Sequence, residues 1–550
     1  MAEETTTVGV IGLGTMGAGI VEVFARGGIS VIGVETTQEF ADRGRAILQA
    51  STDRAVAKDK LDEEAQQAIL GRITITTDMQ DLAPADLVIE AVPERLDIKH
   101  HVFSALDDIV SDTAILASNT SSLSITAIAA GTAHPERVVG LHFFNPAPIL
   151  KLVEVITTLT TPDELVERVS GIATSVGKKP VVVRDRAGFV ANYLLFGYLN
   201  SSMAMLEHGH VSREDLDTAM RVGAGLPMGP LTLMDLIGLD VCHHIGDVIY
   251  SHSRDRVHAP SSMLEQMVSA GRLGRKSGRG FYTYSGPNKG QVVEDASTPS
   301  PLMAAPSAVA IVGSGEIADD LAARFAAADI ATQHIGDVNG DLSAVSQAEL
   351  VIEAQGEPVD PSQDQLTGRD ADDLFAELGQ KAKAGAVLST INPASAAALS
   401  SLTGRPAETL VWRIHAPTQA GQVIEVGKTV AISDEAIAVS RAAIAALEAH
   451  SVVSRDRTGL VVDALLMPHL NDAVRMVDQG YASAQDIDTA IQFGLGYPMG
   501  PLAMIDHVGA DEVLATVEDL MAGSYGYETH LVPSPLLVEH VLLDRPFHQD

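Results

Sequence analysis

The sequence predicts an α/β domain followed by an all-α domain, with that pair occurring twice in one chain. Three observations lead there. A β-rich run, Val8 to Ile11, opens into a glycine-rich turn and an apolar stretch of helical spacing, the start of a parallel-sheet unit. β-rich runs then alternate with helical segments to about Asp185, and beyond it the pattern is helical alone. Finally, strings recur: Pro-Met-Gly-Pro stands at 227–230 and 498–501, and Asp-Thr-Ala at 217–219 and 488–490, so both repeat at the same offset. A chain of 550 residues is too long for one core, and the pattern divides it into 1–185, 186–284, a linker at 285–307, 308–456 and 457–550.

The first turn reads Gly12-Leu13-Gly14-Thr15-Met16-Gly17. Gly12 suits a tight turn, Gly14 admits a pyrophosphate close to the backbone, and Gly17 lets helix and strand pack, which together describe a Rossmann dinucleotide site. A second run, Ser30 to Val34, ends at Glu35, where a carboxylate can hold ribose hydroxyls and would repel a 2′-phosphate. NAD is therefore expected over NADP. Residues 38–71 are helical in pattern and carry Arg43, Arg45, Arg54, Lys58 and Lys60, which by charge spacing alone reads as a solvated helical face. The runs at ITITTD, DLVIEAVPE, AILASNTSS and RVVGLHFFNP continue a mostly parallel sheet.

The stretch from 116 to 155 holds the candidate chemistry. His142 stands at the end of a strand-like run closed by Asn145 and Pro146, and Glu154 follows in LKLVEV. An imidazole titrates near neutrality and a carboxylate can fix its tautomer, so the pair reads as an acid/base with its orienter. Ser121 lies upstream in an Asn-Thr-Ser-Ser turn.

After Asp185 come apolar helical stretches, with Ser212 as an N-cap before an acidic first turn, and then Gly, Pro and Ser through 285–307. VAIVGSGEIA at 308 answers VGVIGLGTMG at 8, and LVIEA at 87 returns at 350. The offset is larger for the glycines (Gly12 to Gly313) than for LVIEA, so the second copy is shorter than the first between these landmarks. The loss corresponds to the basic helical segment.

The net charge of −35 argues against nucleic acid or an anionic membrane as partner. It is uneven, with 25 Lys+Arg against 35 Asp+Glu through residue 290 and 12 against 37 thereafter, so a polyanionic ligand is expected in the first half. No apolar run approaches about 18 residues, the start lacks a signal-peptide layout, and one cysteine, Cys242, favours a reducing compartment, so a cytoplasmic protein is expected. His243 and His244 lack a spaced third ligand, and no metal site is expected.

GLGTMGAGI, EAVPE, SNTSS, LHFFNP, KLVEV, GFVAN, GAGLPMGP and GRKSGRGFY, in this order, resemble the 3-hydroxyacyl-CoA dehydrogenase family through residues 8–284. The resemblance implies an NAD-dependent enzyme that oxidises an (S)-3-hydroxyacyl-CoA, such as 3-hydroxybutyryl-CoA. It further implies His142 as base with Glu154 as partner, and Ser121 and Asn192 at the reacting end of the substrate. Gly12, Gly14, Gly17, Glu35, Glu94, Lys99, Asn145 and Lys276 would surround NAD, with Ser51 and Lys58 toward the CoA phosphates. Glu35 stands where the family usually has Asp.

The second half resembles the same family with departures: Ala318 for Gly17, Pro393 for Ser121, Asp463 for Asn192 and HAPTQ from His415 for HFFNP. His415 and Glu425 stand closer in sequence than His142 and Glu154, by two positions, and the chain ends where a counterpart of GRKSGRGFY would begin. A degenerate copy is expected. Since the family's helical domains dimerise, the two copies would form an internal pseudo-dimer, and further homo-oligomerisation stays open. Other readings are a dicarboxylic substrate such as 3-hydroxyadipyl-CoA, a β-hydroxyacid dehydrogenase, whose catalytic lysine is missing from GFVANYLL, and a non-catalytic NAD/acyl-CoA sensor.

Overall fold

The computed structural model describes residues 6–355, 371–392, 394–414, 421–523 and 529–548. The first half opens with strands β1 (Thr7–Ile11), β2 (Ser30–Val34), β3 (Ile73–Thr76), β4 (Leu87–Glu90), β5 (Ile115–Ser118), β6 (Val138–Phe143), β7 (Leu152–Thr157) and β8 (Lys179–Arg184). They form one sheet in the order β3-β2-β1-β4-β5-β6-β7-β8. The first six are parallel; β7 turns back antiparallel to β6, and β8 runs with β7. Between them lie α1 (Thr15–Arg26), α2 (Gln38–Val56), α3 (Glu63–Gly71), α4 (Leu96–Ile109), α5 (Ile125–Ala129) and α6 (Asp163–Ser175). Sequence signals mark their starts: Thr37 caps α2, Asp62 caps α3 and Ser124 caps α5, each through its side-chain oxygen. The runs at β4, β5 and β6 are buried at every residue, as a central strand covered on both faces requires.

An all-helical part follows: α7 (Ala191–Glu207), α8 (Arg213–Thr218), α9 (Pro230–Ile237), α10 (Leu239–Ser253) and α11 (Ser262–Ser269). α7 is buried along nearly its whole length, so it reads as apolar all round. Residues 285–307, expected as a linker, begin with structure instead. β9 (Thr283–Tyr284) pairs with β10 (Val292–Val293), and the Arg213 guanidinium holds both carboxylate oxygens of Asp295. Gly and Pro here serve a hairpin turn, which composition alone does not separate from a flexible connection.

The second half repeats the order of elements. A four-stranded parallel sheet, β12-β11-β13-β14, is built from β11 (Ala308–Val312), β12 (Ala331–Ile335), β13 (Leu350–Glu353) and β14 (Val387–Thr390). β15 (Val411–Ile414), β16 (Val423–Lys428) and β17 (His450–Arg455) form a separate sheet, joined to the first by a Leu388–Thr409 bridge. Its helices are α12 (Glu316–Ala327), α13 (Ala371–Lys381), α14 (Ala396–Thr403), α15 (Asp434–Ala446), α16 (Val462–Asp478), α17 (Ala484–Leu495), α18 (Pro501–Val508), α19 (Ala510–Gly523) and α20 (Pro535–Leu543). Between β12 and β13 the counterparts of α2, α3 and β3 are missing, where the sequence of the second half is shorter.

The chain end departs from expectation. Phe547 and His548 donate their backbone N–H groups to Asp506, just as Phe281 and Tyr282 donate theirs to Asp235, which precedes Asp506 by the offset of the repeated strings. A short counterpart of GRGFY is therefore present. String comparison misses it because the bond needs only backbone donors.

One core joins the helical parts of both halves. Arg184 N donates to Tyr481 O, and Arg455 N donates to His210 O; under the repeat, Arg184 corresponds to Arg455 and His210 to Tyr481. Arg441 grips Asp215 with two nitrogens, at 2.6 and 3.1 Å. Among the described residues no helix is long and apolar enough to cross a membrane.

Candidate active site

The pairing register of β6 and β7 sets His142 directly opposite Glu154. Their spacing in sequence is thus the length of a hairpin whose loop spans 144–151. His142 Nδ1 lies 2.7 Å from Glu154 Oε2, with the imidazole 4% exposed and the carboxylate fully buried. A carboxylate only accepts, so Nδ1 carries the proton and Nε2 is left as acceptor. Ser121 Oγ sits 3.0 Å from that Nε2. The other oxygen of Glu154 accepts the N–H groups of Val190 and Ala191, both at 3.1 Å. These open α7, so the helix N-terminus stabilises the buried charge. Phe144 and Phe189 flank the imidazole, with ring centroids 4.6 and 5.5 Å away.

The turn that presents Ser121 is held from below. Glu94 Oε1 accepts from Thr120 Oγ1, Ser121 N and Ser122 N. Lys99, 1% exposed, donates to both oxygens of Glu90 and pairs with Glu94 at 3.3 Å. Burial opposes ionisation of Glu94, but Lys99 and the bonds from Thr120 and Ser121 hold its carboxyl below the usual range. Ser118 Oγ adds a bond to Glu90. Glu94 and Lys99, expected as cofactor contacts, therefore build the serine turn; Lys99 has its ammonium occupied by two carboxylates.

Asn192 follows Ala191 in the first turn of α7, half-buried, and its carboxamide makes no hydrogen bond among the described residues. It is thus free to meet a ligand beside Glu154. Asn145 is exposed just past β6. Three supports escaped the sequence reading. Asn119 Oδ1 accepts Phe143 N at 2.8 Å, fixing β6 against the serine turn. Glu90 anchors Lys99. Lys178 donates to Ala147 O and Leu150 O, pinning the hairpin loop, and burial, with Arg26 nearby, brings its ammonium down to about 8. Glu90 left a trace in the sequence as the Glu of the repeated LVIEA, and Asn119 as the Asn of SNTSS; Lys178 left none.

The glycine turn fits a dinucleotide. A Cβ on Gly17 would lie 1.7 Å from Gly12 O, and one on Gly12, at φ +87°, would meet Ala91 O at 2.8 Å, so both must be glycine. Gly14 and Thr15 are exposed, no acidic residue stands in the first turn of α1, and its leading N–H groups are open to a pyrophosphate. Glu35 Oε1 accepts from Leu13 N at 2.6 Å, which sets a carboxylate at the turn where a ribose would lie. Ser51 lies on α2 and Lys58 in the exposed turn after it, on the side of the sheet edge that carries the basic segment. Lys276 is not brought to this group: its ammonium pairs with Asp240 on the helical part.

Among the described residues, the second half sets a different group opposite the corresponding glutamate. Glu425 accepts from Val461 N and Val462 N as Glu154 does from Val190 and Ala191, yet the residue opposite it across β15 and β16 is Arg413. Arg413 and Glu425 are the pair with the sequence spacing of His142 and Glu154. Arg413 also reaches Asp463, the counterpart of Asn192, at 2.9 Å. The expected counterpart His415 is two positions further on and lies outside the described residues, as does Pro393. Glu353 stands where Glu90 does, but Asn392 replaces lysine as its partner and burial pushes its carboxyl above the usual range. At the opening of α12, Glu316 and Asp319 stand in the first turn, where they repel a phosphate.

Residues 7–186 match the family described as 3-hydroxyacyl-CoA dehydrogenase, NAD binding domain, and 188–284 and 459–546 match its C-terminal domain. Over 286 residues the chain is 46% identical to a 3-hydroxybutyryl-CoA dehydrogenase of Mycobacterium tuberculosis, covering 52% of this chain and 100% of that protein. It is 33% identical to a 3-hydroxyadipyl-CoA dehydrogenase of Escherichia coli K12, over 98% of both. The crystal structure of a 3-hydroxybutyryl-CoA dehydrogenase from Escherichia coli K12 superposes with a TM-score of 0.73 at 30% identity, covering 98% of this chain and 99% of that one.

Proposed function

The chain belongs to the 3-hydroxyacyl-CoA dehydrogenase family, an NAD-dependent oxidoreductase acting on 3-hydroxyacyl-CoA, and from that premise we propose which residues act and in which half. The first half oxidises a short-chain (S)-3-hydroxyacyl-CoA to the 3-oxoacyl-CoA. The observation that carries this is the His142–Glu154 pair with Ser121 on the free imidazole nitrogen.

His142 Nε2 takes the proton of the 3-hydroxyl, and in the reverse direction the imidazolium returns it. NAD, when bound, supplies the acceptor for the C3 hydride. Glu154, which accepts two N–H groups at the start of α7, holds Nδ1–H and stabilises the imidazolium. Ser121 and Asn192 hydrogen-bond the reacting oxygens, while Phe144 and Phe189 keep water from the imidazole. Gly12, Gly14, Gly17, Glu35 and Asn145 are assigned to NAD, and Ser51 and Lys58 to the CoA phosphates. NADH absorbance with acetoacetyl-CoA tests the reading. Binding of NAD and acyl-CoA without turnover would favour the sensor.

Glu154→Gln is expected to lower turnover about 100-fold or more while leaving NAD affinity nearly unchanged. A glutamine can still accept Val190 N and Ala191 N, and its amide then donates to Nδ1, which moves the ring proton to the nitrogen that must act as base. Steady-state kinetics beside an NAD titration checks this, and wild-type turnover would remove the dyad.

The second half is proposed to be a degenerate copy packed as an internal pseudo-dimer partner. Arg413 in place of a base, acidic residues at the α12 start and the missing basic segment support the first part. The reciprocal bonds of Arg184 with Tyr481 and of Arg455 with His210 support the second, since an isologous interface joins i to j and j to i. A scattering envelope of two separated halves would contradict it. A second substrate reading, a dicarboxylic 3-hydroxyacyl-CoA, is favoured by the relative named for 3-hydroxyadipyl-CoA that matches both halves. Comparing kcat/KM for acetoacetyl-CoA and 3-oxoadipyl-CoA decides between them.

A further inference from the structure

The second half grips the elements that carry the dyad of the first. α17 packs against β7, β8 and α7. At its last turn sits Gly494, where an added Cβ would lie 2.5 Å from Leu152 Cδ2, 3.7 Å from Phe144 Cε1 and 3.8 Å from Ala191 Cβ. Each of these neighbours is one step from the chemistry. Leu152 is buried on β7 two positions before Glu154, the Phe144 ring flanks His142, and Ala191 donates its N–H to Glu154. Backbone conformation does not demand glycine here, and alanine would be the better helix former. Close approach of the helix is what requires it.

The grip extends along the segment that delivers the two N–H groups. Tyr481 O accepts Arg184 N, Gln479 Oε1 accepts from the Arg186 guanidinium, and that guanidinium lies over the rings of Tyr193 and Tyr481. Residues 184–191 are thus held by the second half at one end and by α17 at the other. We propose that the second half is the positioning element of the first half's dyad, and that Gly494 is the positioning residue through which α17 sets His142 and Glu154. The inference rests on the proposed roles of His142 and Glu154.

The repeat provides a control. Gly223, the counterpart of Gly494 in the first half, would place its Cβ 2.8 Å from Val462 Cγ2 and 3.6 Å from Val423 Cβ. Val462 and Val423 are the counterparts of Ala191 and Leu152 in the half where Arg413 stands opposite Glu425. Gly494→Ala and Gly223→Ala crowd the same kind of contact, but only the first crowds the His142–Glu154 pair. Gly494→Ala is expected to lower kcat at least about tenfold. KM for acetoacetyl-CoA and the NAD Kd should stay within about twofold, and the ascending limb of the kcat pH profile should move, since the imidazole and its partner are displaced. Gly223→Ala should keep the wild-type kcat and profile. Gly494→Ala/Leu152→Val removes the methyl that the new Cβ meets, and kcat should return toward wild type, which also covers the case in which Gly494→Ala alone folds poorly. Wild-type kcat and profile in Gly494→Ala, equal losses in both glycine variants, or no recovery in the double variant would overturn the inference. Wild-type turnover that depends on His142 fixes the proposed function separately, so either can fail without the other.

Discussion

NADH formation from a 3-hydroxyacyl-CoA should fall by about 10²- to 10⁴-fold in His142→Ala, the usual weight of a general base. NAD binding should be nearly unaffected, because the glycine turn and Glu35 are built on β1 and β2, across the sheet from β6. Thermal unfolding should shift little in comparison, since the change leaves Glu154 with both of its α7 donors. The second half offers no substitute among the described residues: the group facing Glu425 is a guanidinium, which does not give up its proton at working pH. Activity that largely survives would point to His415, and the degenerate reading of the second half would be wrong.

The largest stability effect is expected at Lys99. Lys99→Met should cost about 3–5 kcal/mol, because it leaves the Glu90 carboxylate fully buried without its cation. For a domain of this size the midpoint would drop by roughly 10 °C. The sign of the pH dependence follows from Glu353, which faces Asn392 instead of lysine and whose carboxyl burial pushes up. In the variant Glu90 should behave likewise, with a folded-state pKa above its unfolded value. Its neutral form is then compatible with the fold at low pH, and stability is lost as pH rises through the folded pKa. Calorimetry across pH 5 to 8 checks both size and slope, and Lys99→Met/Glu90→Gln should recover much of the loss. An unchanged midpoint would mean the turn is held without this ion pair.

Much of the site was legible because its residues act through type and spacing. Gly12 and Gly17 leave no room for a side chain, and Glu35 must follow β2, so the dinucleotide turn is written in the chain. His142 and Glu154 could be paired because a carboxylate can orient an imidazole, and the hairpin register then sets the two opposite each other. What was illegible depends on direction. A lysine facing a cofactor and one buried between Glu90 and Glu94 look the same in sequence, and only the family resemblance placed Lys99 around NAD. In the second half the string at His415 resembles the one at His142, but strand pairing sets Arg413 opposite Glu425. Asp295 shows the same limit, since its partner Arg213 is far away in sequence.

The grip of Arg441 on Asp215 has no mate under the repeat: the equivalent positions hold Ser170 and Asp486. In a dimer of identical subunits every interface change appears twice, and each must suit both copies at once. In the proposed internal pseudo-dimer, carrying both halves on one polypeptide lifts that demand. Each side can then evolve alone, and dilution cannot part them, because the tether holds one half at an effective concentration on the order of millimolar around the other. A one-sided ion pair such as Arg441–Asp215 is what that freedom permits, and a symmetric dimer would have to make it twice or not at all.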